Sequence, residues 1–270
     1  GDLMDNGGSI VRRGIFRVMS DGELDPAFDA SYDDEVFARE LLVQADGLVV
    51  VCVERDGSDY ILERRHANGE LDPGFGATLD GHVAVMALRT DGMLAIGGEF
   101  STVNGEPRAN FAMLLPDGNL SNLATPAIDG AVLSIRIQND GKLLLGGAFT
   151  TIGIEARARL ARLSAPEAAL YSFVSSNTGL IWERRGAAPE LVVAPWLMLS
   201  GDGFGYARET RMSRVGFGWA ATALAQPDVE QWQWLRVEEA HDNGSSNGNG
   251  LSDRGLLRFR PERVFAGNFE

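Results

Sequence analysis

Short apolar runs separated by turn residues dominate the pattern of the chain and predict β-strands. Apolar residues fill positions 48–53, 93–96 and 143–145, and each run closely follows an Asp-Gly pair. Uninterrupted runs of this length between turn signals are typical of strands buried on both faces. An Asp-Gly pair between two apolar strands predicts a tight hairpin of type I′, in which both central residues take positive φ.

Two turn motifs recur with a common period along the first part of the chain. The Asp-Gly pairs that precede the apolar runs begin at Asp46, Asp91 and Asp140, spaced 45 and 49 residues apart. A second series has its turn glycines at Gly22, Gly69 and Gly118. A period of about 48 residues with two turns per period predicts units of four short strands, the size of one β-propeller blade.

The glycines of these motifs carry specific backbone expectations. Gly92, Gly118 and Gly141 should take positive φ, which glycine adopts without steric cost. The Gly-Gly pair after two of the apolar runs, as at positions 97–98, should allow close backbone approach or a bulge.

The combined pattern resembles the delta-60 repeat, a β-propeller-type repeat of bacteria. The resemblance rests on Gln-x-Asp-Gly-Lys, an apolar run and Gly-Gly-x-Phe at positions 138–149, on Asn104-Gly105 with Arg108, and on Asp-Gly-x-Leu-Asp-x-x-Phe at positions 21–28. Positions 51–54 depart from it with Val-Cys-Val-Glu, and the motif decays at positions 163–166. The resemblance covers about residues 1–171 and implies a secreted or cell-surface bacterial protein.

The register of the first residues favours an incomplete first blade. Gly1-Asp2-Leu3 aligns with positions 98–100, so about three and a half units are expected, with the first one truncated. Propellers usually close with about four to eight blades. We therefore expect a C-terminal portion of a longer protein, in which another chain or the missing N-terminal part completes the first blade.

The period is lost from about position 172, and short apolar runs then alternate with turns. This spacing predicts an antiparallel β-sandwich over residues 172–260, followed by a C-terminal tail at 261–270. Trp182, Trp219, Trp232 and Trp234 are expected to supply much of its core. The predicted fold class is thus all-β, with a partial β-propeller-like array of four-stranded repeats followed by the sandwich.

Composition excludes several classes of partner. The 270 residues include 38 acidic and 24 basic side chains, a net charge of −14 that repels nucleic acid. No apolar run approaches the length of a membrane span. Cys52 stands alone, which excludes an intramolecular disulfide, and its apolar neighbours indicate a buried structural thiol.

The search for a metal or cofactor site leaves only weak candidates. His66, His82 and His241 are scattered, so no zinc or copper centre is expected. The acidic run Asp33-Asp34-Glu35, or Asp202, could hold Ca²⁺, although neither matches an EF-hand and a solvated acidic turn is the alternative. The polar loop at 241–250 is expected to be a surface hairpin, with a glycan or cation contact as the alternative.

No catalytic constellation is visible in the sequence. No nucleophile can be named, and Asp25 and Asp72 recur as turn caps, because an Asp in a turn bonds its own backbone. The first hypothesis is a non-catalytic extracellular interaction module that binds a protein or a glycan. The alternatives are the accessory end of a secreted hydrolase and a structural subunit of a larger assembly.

Overall fold

The computed structural model consists of strands and turns, with no helix among the residues that it describes. It describes residues 2–4, 11–32, 36–57, 59–123, 125–164, 168–176, 179–191, 193–200, 207–216, 218–222, 231–240, 249–260 and 263–266. In that part of the chain no helix is long and apolar enough to cross a membrane. The chain forms two compact units, one of Gly1–Gln138 with Lys142–Pro166 and one of Asn139–Gly141 with Glu167–Glu270.

The first unit is built from short antiparallel strands. In chain order they are β1 (Asp2–Met4), β2 (Val11–Ile15), β3 (Ala30–Ser31), β4 (Val36–Val43), β5 (Val49–Arg55), β6 (Asp59–Arg65), β7 (Leu71–Leu79), β8 (His82–Leu88), β9 (Leu94–Glu99), β10 (Thr102–Val103), β11 (Glu106–Pro107), β12 (Phe111–Leu114), β13 (Val132–Ile137), β14 (Leu143–Gly147), β15 (Thr151–Ile152), β16 (Glu155–Ala156) and β17 (Leu160–Leu163). They form the sheets β1-β2-β3, β11-β10-β7-β6-β5-β4, β12-β9-β8, β13-β14-β17 and β15-β16.

The first complete repeat has four strands in order, β4-β5-β6-β7, and the next repeats have three each in the described residues. The fourth strand of the second repeat is reduced to isolated bridges at Leu120 and Ile128. Pro126 occupies the position of the second repeat that is equivalent to Ala77 of β7 in the first, and Ala77 pairs there with Leu62. Because proline has no N–H to donate to the ladder, the continuous strand is interrupted there.

The first and second complete repeats pack their strands between two neighbouring layers, as in a β-propeller. In β5, Val49 and Val51 join the core shared with the sheet β1-β2-β3, whereas Val50 and Cys52 join the core shared with β8, β9 and β12. In β9 the alternation repeats, with Leu94 facing one core and Ala95 the other. This two-sided burial explains the uninterrupted apolar runs.

Positive φ at the turn glycines is confirmed. The φ angles of Gly92, Gly118 and Gly141 are 83°, 88° and 84°. The aspartates that precede these glycines do not have positive φ. Among the described residues other than glycine, only Asp56, Asn104, Asn110 and Arg159 have positive φ.

The predicted type I′ geometry is therefore wrong for the repeated Asp-Gly turns. The N–H of Gly92 donates to the carbonyl of Arg89 (3.0 Å), and Asp91 Oδ1 accepts the N–H of Met93 (3.2 Å). This side-chain hydrogen bond stabilises a wider turn in which only glycine needs the left-handed region. The two-residue turn Asn104-Gly105, with φ of 53° and 77°, shows the double positive φ of type I′.

The Gly-Gly pair lies at a bulge, as predicted. A Cβ on Gly98 would lie 2.0 Å from the carbonyl oxygen of His82, and the register between β8 and β9 shifts between Val83 and Val85. The first complete repeat keeps the same shift, between Ala38 and Glu40, without the glycines.

The second unit is an antiparallel sandwich of two sheets. Its strands are β18 (Ala169–Ser176), β19 (Gly179–Gly186), β20 (Trp196–Ser200), β21 (Ala207–Arg211), β22 (Ser213–Val215), β23 (Gly218–Thr222), β24 (Gln231–Ala240), β25 (Asn249–Arg260) and β26 (Arg263–Ala266). The sheets have the orders β18-β19-β23-β22 and β21-β20-β24-β25-β26. The unit takes in β18, so residues 169–171 lie in it rather than in the repeat unit to which the sequence pattern assigned them.

The sandwich core contains two of the four expected tryptophans. Trp182 and Trp219 are buried and pack with Leu197, Leu235 and Val237 from the facing sheet. The side chains of the other two, at positions 232 and 234, lie outside the described residues.

Candidate interaction surface

The recurring Asp-Pro-x-Phe motif holds an arginine from the strand before it. Arg64 Nε donates to Asp72 Oδ2 (2.7 Å), and its guanidinium lies over the ring of Phe75, 4.9 Å from the centroid. Asp72 Oδ1 accepts the N–H of Gly74 (2.8 Å), so the predicted turn cap is present. The backbone N–H of Gly74, and then Arg64, hold the pKa of Asp72 below its usual value.

The same arrangement occurs one repeat earlier. Arg17 Nε donates to Asp25 Oδ2 (2.7 Å), Asp25 Oδ1 accepts the N–H of Ala27 (2.8 Å), and the guanidinium lies over Phe28. The N–H of Ala27, and then Arg17, likewise lower the pKa of Asp25. One carboxylate oxygen of Asp25 therefore caps the turn and the other pairs with an arginine, as at Asp72.

Each arginine also ties its repeat to the next one. Arg17 Nη1 donates to the carbonyl of Ala67 (2.8 Å), and Arg64 Nη1 donates to that of Pro116 (2.9 Å). Both acceptors lie in the turn of the following repeat. We call this set of contacts, from arginine, Asp and Phe to the following turn, the repeat clasp.

The turn glycine of the following repeat fits tightly into the clasp. A Cβ on Gly118 would lie 2.4 Å from the carbonyl oxygen of Gly76, whose N–H donates to the carbonyl of Asp117 (3.2 Å). A Cβ on Gly69 would lie 2.3 Å from the backbone of Asp29. Glycine is thus required here by close backbone approach as well as by φ.

A buried charged cluster interrupts the apolar layer of the first repeats. Arg65 Nε donates to Glu63 Oε1 (2.8 Å), the hydroxyl of Tyr32 donates to the same carboxylate, and the Arg65 guanidinium lies over the Tyr32 ring. Burial, and then the hydrogen bond to Glu63, raise the pKa of Tyr32. In the next repeat Ala112 and Leu114 occupy the equivalent positions, so the cluster replaces an apolar contact.

Cys52 is fully buried and free, which confirms the interpretation as a structural thiol. Burial raises its pKa to about 11. Since the thiolate is the reactive form, this environment makes the sulfur a poor nucleophile.

The candidate cation ligands are not brought together among the described residues, where no group of three or more His, Cys, Asp or Glu side chains could hold a metal ion. His66 is exposed, and His82 lies edge-on to Tyr60 with ring centroids 6.4 Å apart. Asp33, Asp34, Glu35, Asp202 and residues 241–248, with His241, lie outside the described part of the chain.

An apolar patch lies exposed on the edge strand β4. Leu41 and Val43 lie on one face, opposite Val51 and Val49 of β5, and are 51 and 42% exposed. Phe37 is 56% exposed but lies beyond the bulge and faces the other side of the sheet. Arg39, at the bulge, pairs with the buried carboxylate of Glu54. The patch, defined by Leu41 and Val43, therefore carries little free charge of its own.

The later repeats bury the positions that match this patch. Leu41 pairs with Val51, the fourth residue after the Asp-Gly turn of its repeat. Met86 and Ile135 likewise pair with the fourth residue after the Asp-Gly turn of the second and third repeats, so the three positions are equivalent. Met86 is 6% exposed and Ile135 is 0% exposed, because each packs against the preceding repeat. The exposure of Leu41 is thus a property of the first complete repeat and was not anticipated from the sequence, in which the three positions are equally apolar.

The sandwich unit also contains a cluster of charged side chains. Arg214 Nη1 donates to Glu190 Oε1 (2.8 Å), and the fully buried Arg184 lies over the ring of Trp182, 4.9 Å from its centroid. Burial raises the pKa of Glu190, although Arg214 and Arg184 oppose the shift. The side chains of Arg184 and Glu190 are buried inside the unit, so they support packing rather than form an open site.

A family model matches residues 89–120 and 138–165, which hold β9 to β12 of the second complete repeat and β14 to β17 of the third. Its description is a domain of unknown function (DUF5122) beta-propeller. The repeats are of the β-propeller type. The match thus supports the fold expected from the 48-residue period and carries no activity with it. No curated protein and no solved structure matches the chain.

Proposed function

We propose that the chain is a non-catalytic interaction module that binds a protein partner through the apolar patch on β4. The observation that supports this is the contrast between exposed Leu41 and its buried equivalents Met86 and Ile135. Exposed apolar side chains that lie side by side on one face, as Leu41 and Val43 do, are typical of surfaces that bind other proteins. A protein is favoured over a glycan because the patch offers apolar side chains, and the neighbouring Arg39 is already paired.

The use of the charged groups agrees with a non-catalytic role. In the repeats, Asp25, Asp72, Glu63 and their arginines serve turns, clasps or buried pairs. We propose further that the repeats are delta-60 repeats and that the protein is secreted or at the cell surface of a bacterium. These two proposals rest on the sequence resemblance.

The test is an affinity capture with the wild-type chain and with Leu41→Asp as paired baits. Envelope and culture-fluid fractions of the source organism supply the candidates, and mass spectrometry identifies what is retained. The proposal expects one protein that wild type retains and Leu41→Asp loses, while Leu133→Asp, an exposed leucine on β13, retains it. Specific binding on a glycan array, with no protein retained, would contradict the proposal, as would hydrolysis of a bound glycan.

A further inference from the structure

One face of the sheet β13-β14-β17 carries two exposed arginines with an apolar residue between them. Leu144 of β14 pairs with Arg136 of β13 on one side and with Arg162 of β17 on the other. Residues that pair directly across antiparallel strands share a face, so we call these three the arginine row. Both arginines are exposed, and Leu144 is half-buried. Leu160, two positions before Arg162 on the same face, is 67% exposed.

The second repeat uses the equivalent face to pack against the third. Ala95 of β9 pairs with Ala87 and with Met113, as Leu144 pairs with the two arginines. Ala95 and Met113 are buried in the core that the second repeat shares with β13 and β14. A further repeat of that chemistry, from whichever chain, would therefore meet arginines where the interface between the second and third repeats is apolar.

Arg162 stands at the position of a clasp arginine but lacks the carboxylate of the clasp. It pairs with the third residue after the Asp-Gly turn of its repeat, as Arg64 does. In the two clasps the aspartate follows the arginine by eight positions, as in Arg64 and Asp72, whereas leucine stands at position 170. Among the described residues, neither Arg162 nor Arg136 forms an ion pair. The arginine row therefore presents two guanidinium groups that are free to bind carboxylates.

The third repeat differs in charge from the chain as a whole. Positions 132–163 hold five basic and two acidic residues, a net charge of +3, whereas the chain carries −14. A basic face attracts anionic groups, but two copies that each carry −14 repel one another. The charges thus favour an acidic segment of a different protein over a second copy. Exposed Leu160 favours a protein over an acidic polysaccharide, because large apolar side chains are available to a protein only.

We propose that the arginine row binds an acidic segment of another protein, in which two carboxylates flank an apolar side chain. The carboxylates pair with Arg136 and Arg162, and the apolar side chain packs on Leu144. In the clasps the same residue type already holds a carboxylate at 2.7 Å, so the chemistry is that of the repeats themselves. This surface is separate from the patch on β4 and adds a second binding site to the one proposed above.

The spacing of the strands sets the pattern expected in the partner. Neighbouring strands are about 4.8 Å apart, so the Cα atoms of Arg136 and Arg162 lie about 10 Å apart across β14. In an extended segment, side chains on one side recur about every 6.7 Å. Acidic residues at the first and fifth positions, with an apolar residue at the third, span about 13 Å, which the long arginine side chains can accommodate.

The probe is a synthetic peptide of three copies of Glu-Ser-Leu-Ser with blocked ends and a fluorescent label. Fluorescence anisotropy with the full-length chain, at an ionic strength of about 0.05 M, should show saturable binding. The same peptide with glutamine in place of glutamate should bind about tenfold more weakly or worse, because neutral amides cannot form the ion pairs. The double variant of the chain, Arg136→Gln with Arg162→Gln, should weaken binding of the glutamate peptide by a similar factor.

A second double variant, Arg108→Gln with Arg157→Gln, is the matched control. It removes the same charge from the repeat unit outside the arginine row, and Arg157 lies near Glu155 (3.8 Å). Its affinity should stay within about twofold of the wild type, since only long-range attraction is reduced. Circular dichroism of both double variants should match that of the wild type, because Arg136 and Arg162 are exposed.

The outcomes separate this inference from the proposed function. Equal losses in the two double variants, or no saturable binding to the wild type, would overturn the arginine row as a site. Tighter binding of a soluble polyuronate, with the same dependence on Arg136 and Arg162, would assign the row to an acidic glycan, against the proposal. Leu41→Asp should bind the peptide as the wild type does, so failure of either proposal leaves the other standing.

Discussion

Replacing Gly118 by alanine should be far more damaging than replacing Gly22, and the difference measures the repeat clasp. The two glycines share a φ of 88° and the same turn hydrogen bonds, Gly22 N–H to Met19 carbonyl (3.0 Å) and Gly118 N–H to Leu115 carbonyl (2.9 Å). Around Gly22 a Cβ would meet nothing within 4 Å, whereas at Gly118 it would lie 2.4 Å from the carbonyl oxygen of Gly76.

The magnitudes follow from this geometry. Alanine in the left-handed region costs about 1 kcal/mol at either site. At Gly118 the contact with backbone adds about 1–3 kcal/mol of overpacking. Displacing the turn also removes the Gly76 N–H to Asp117 carbonyl bond, worth about 1 kcal/mol. We therefore expect a loss of about 1 kcal/mol for Gly22→Ala and about 3–5 kcal/mol for Gly118→Ala.

The assay must report on the repeat unit alone. All five tryptophans lie between positions 182 and 234, so their fluorescence follows the sandwich and serves as an internal control. Hydrogen exchange of amides in β6, β9 and β12, measured along a urea series, gives the opening free energy of the repeats. Losses that agree within about 0.5 kcal/mol for the two variants would refute tight docking of the turn on the preceding repeat.

Three further predictions address other groups. Arg64→Met, which copies the residue at the equivalent position 113, should cost the repeat unit about 1–2 kcal/mol in urea unfolding, because Asp72 and the Pro116 carbonyl both lose a donor; an unchanged midpoint would show that the clasp contributes nothing. Thr150→Val should raise the pKa of Asp129, which the Thr150 hydroxyl and then the backbone N–H groups of Thr151 and Thr150 hold low, while Asp80 serves as an unaltered control in a carboxyl NMR titration. Because the pKa of Asp129 is lowered on folding, its stabilising contribution is present above the unfolded value of 3.8 and is lost as pH falls toward the folded value, so Thr150→Val should flatten that acid dependence. Cys52 should resist a thiol reagent at pH 8 until urea unfolds the repeats, since burial raises its pKa to about 11, and rapid labelling of the native chain would contradict its burial.

The sequence was sufficient for features that depend on short stretches of chain. The positive φ of Gly92, Gly118 and Gly141, the buried Cys52 and the all-β fold follow from local turn chemistry and apolar runs. The turn type did not follow, because the hydrogen bond from Met93 N–H to the Asp91 carboxylate competes with the type I′ geometry. The interrupted fourth strand had a visible signal in Pro126, which lacks a ladder donor.

The candidate surface could not be predicted in the same way. Leu41, Met86 and Ile135 are all apolar and stand at equivalent positions, so only the packing of neighbouring layers separates the exposed residue from the buried ones. The repeat clasp was predictable in part. The spacing from Arg17 to Asp25 recurs from Arg64 to Asp72 and is visible in the sequence. Its acceptors, the carbonyls of Ala67 and Pro116, lie about 50 residues away along the chain and required the fold.

Site-specific photo-crosslinking tests the binding role of the patch most directly. A photoreactive phenylalanine analogue is placed at Leu41 in one variant and at Leu160, another exposed leucine of the repeat unit, in a second. The two variants are expressed in the source organism and irradiated. If the patch binds a protein, we expect one discrete crosslinked product from position 41 that is not formed from position 160. No crosslink at position 41, or the same products from both positions, would contradict a binding surface on β4.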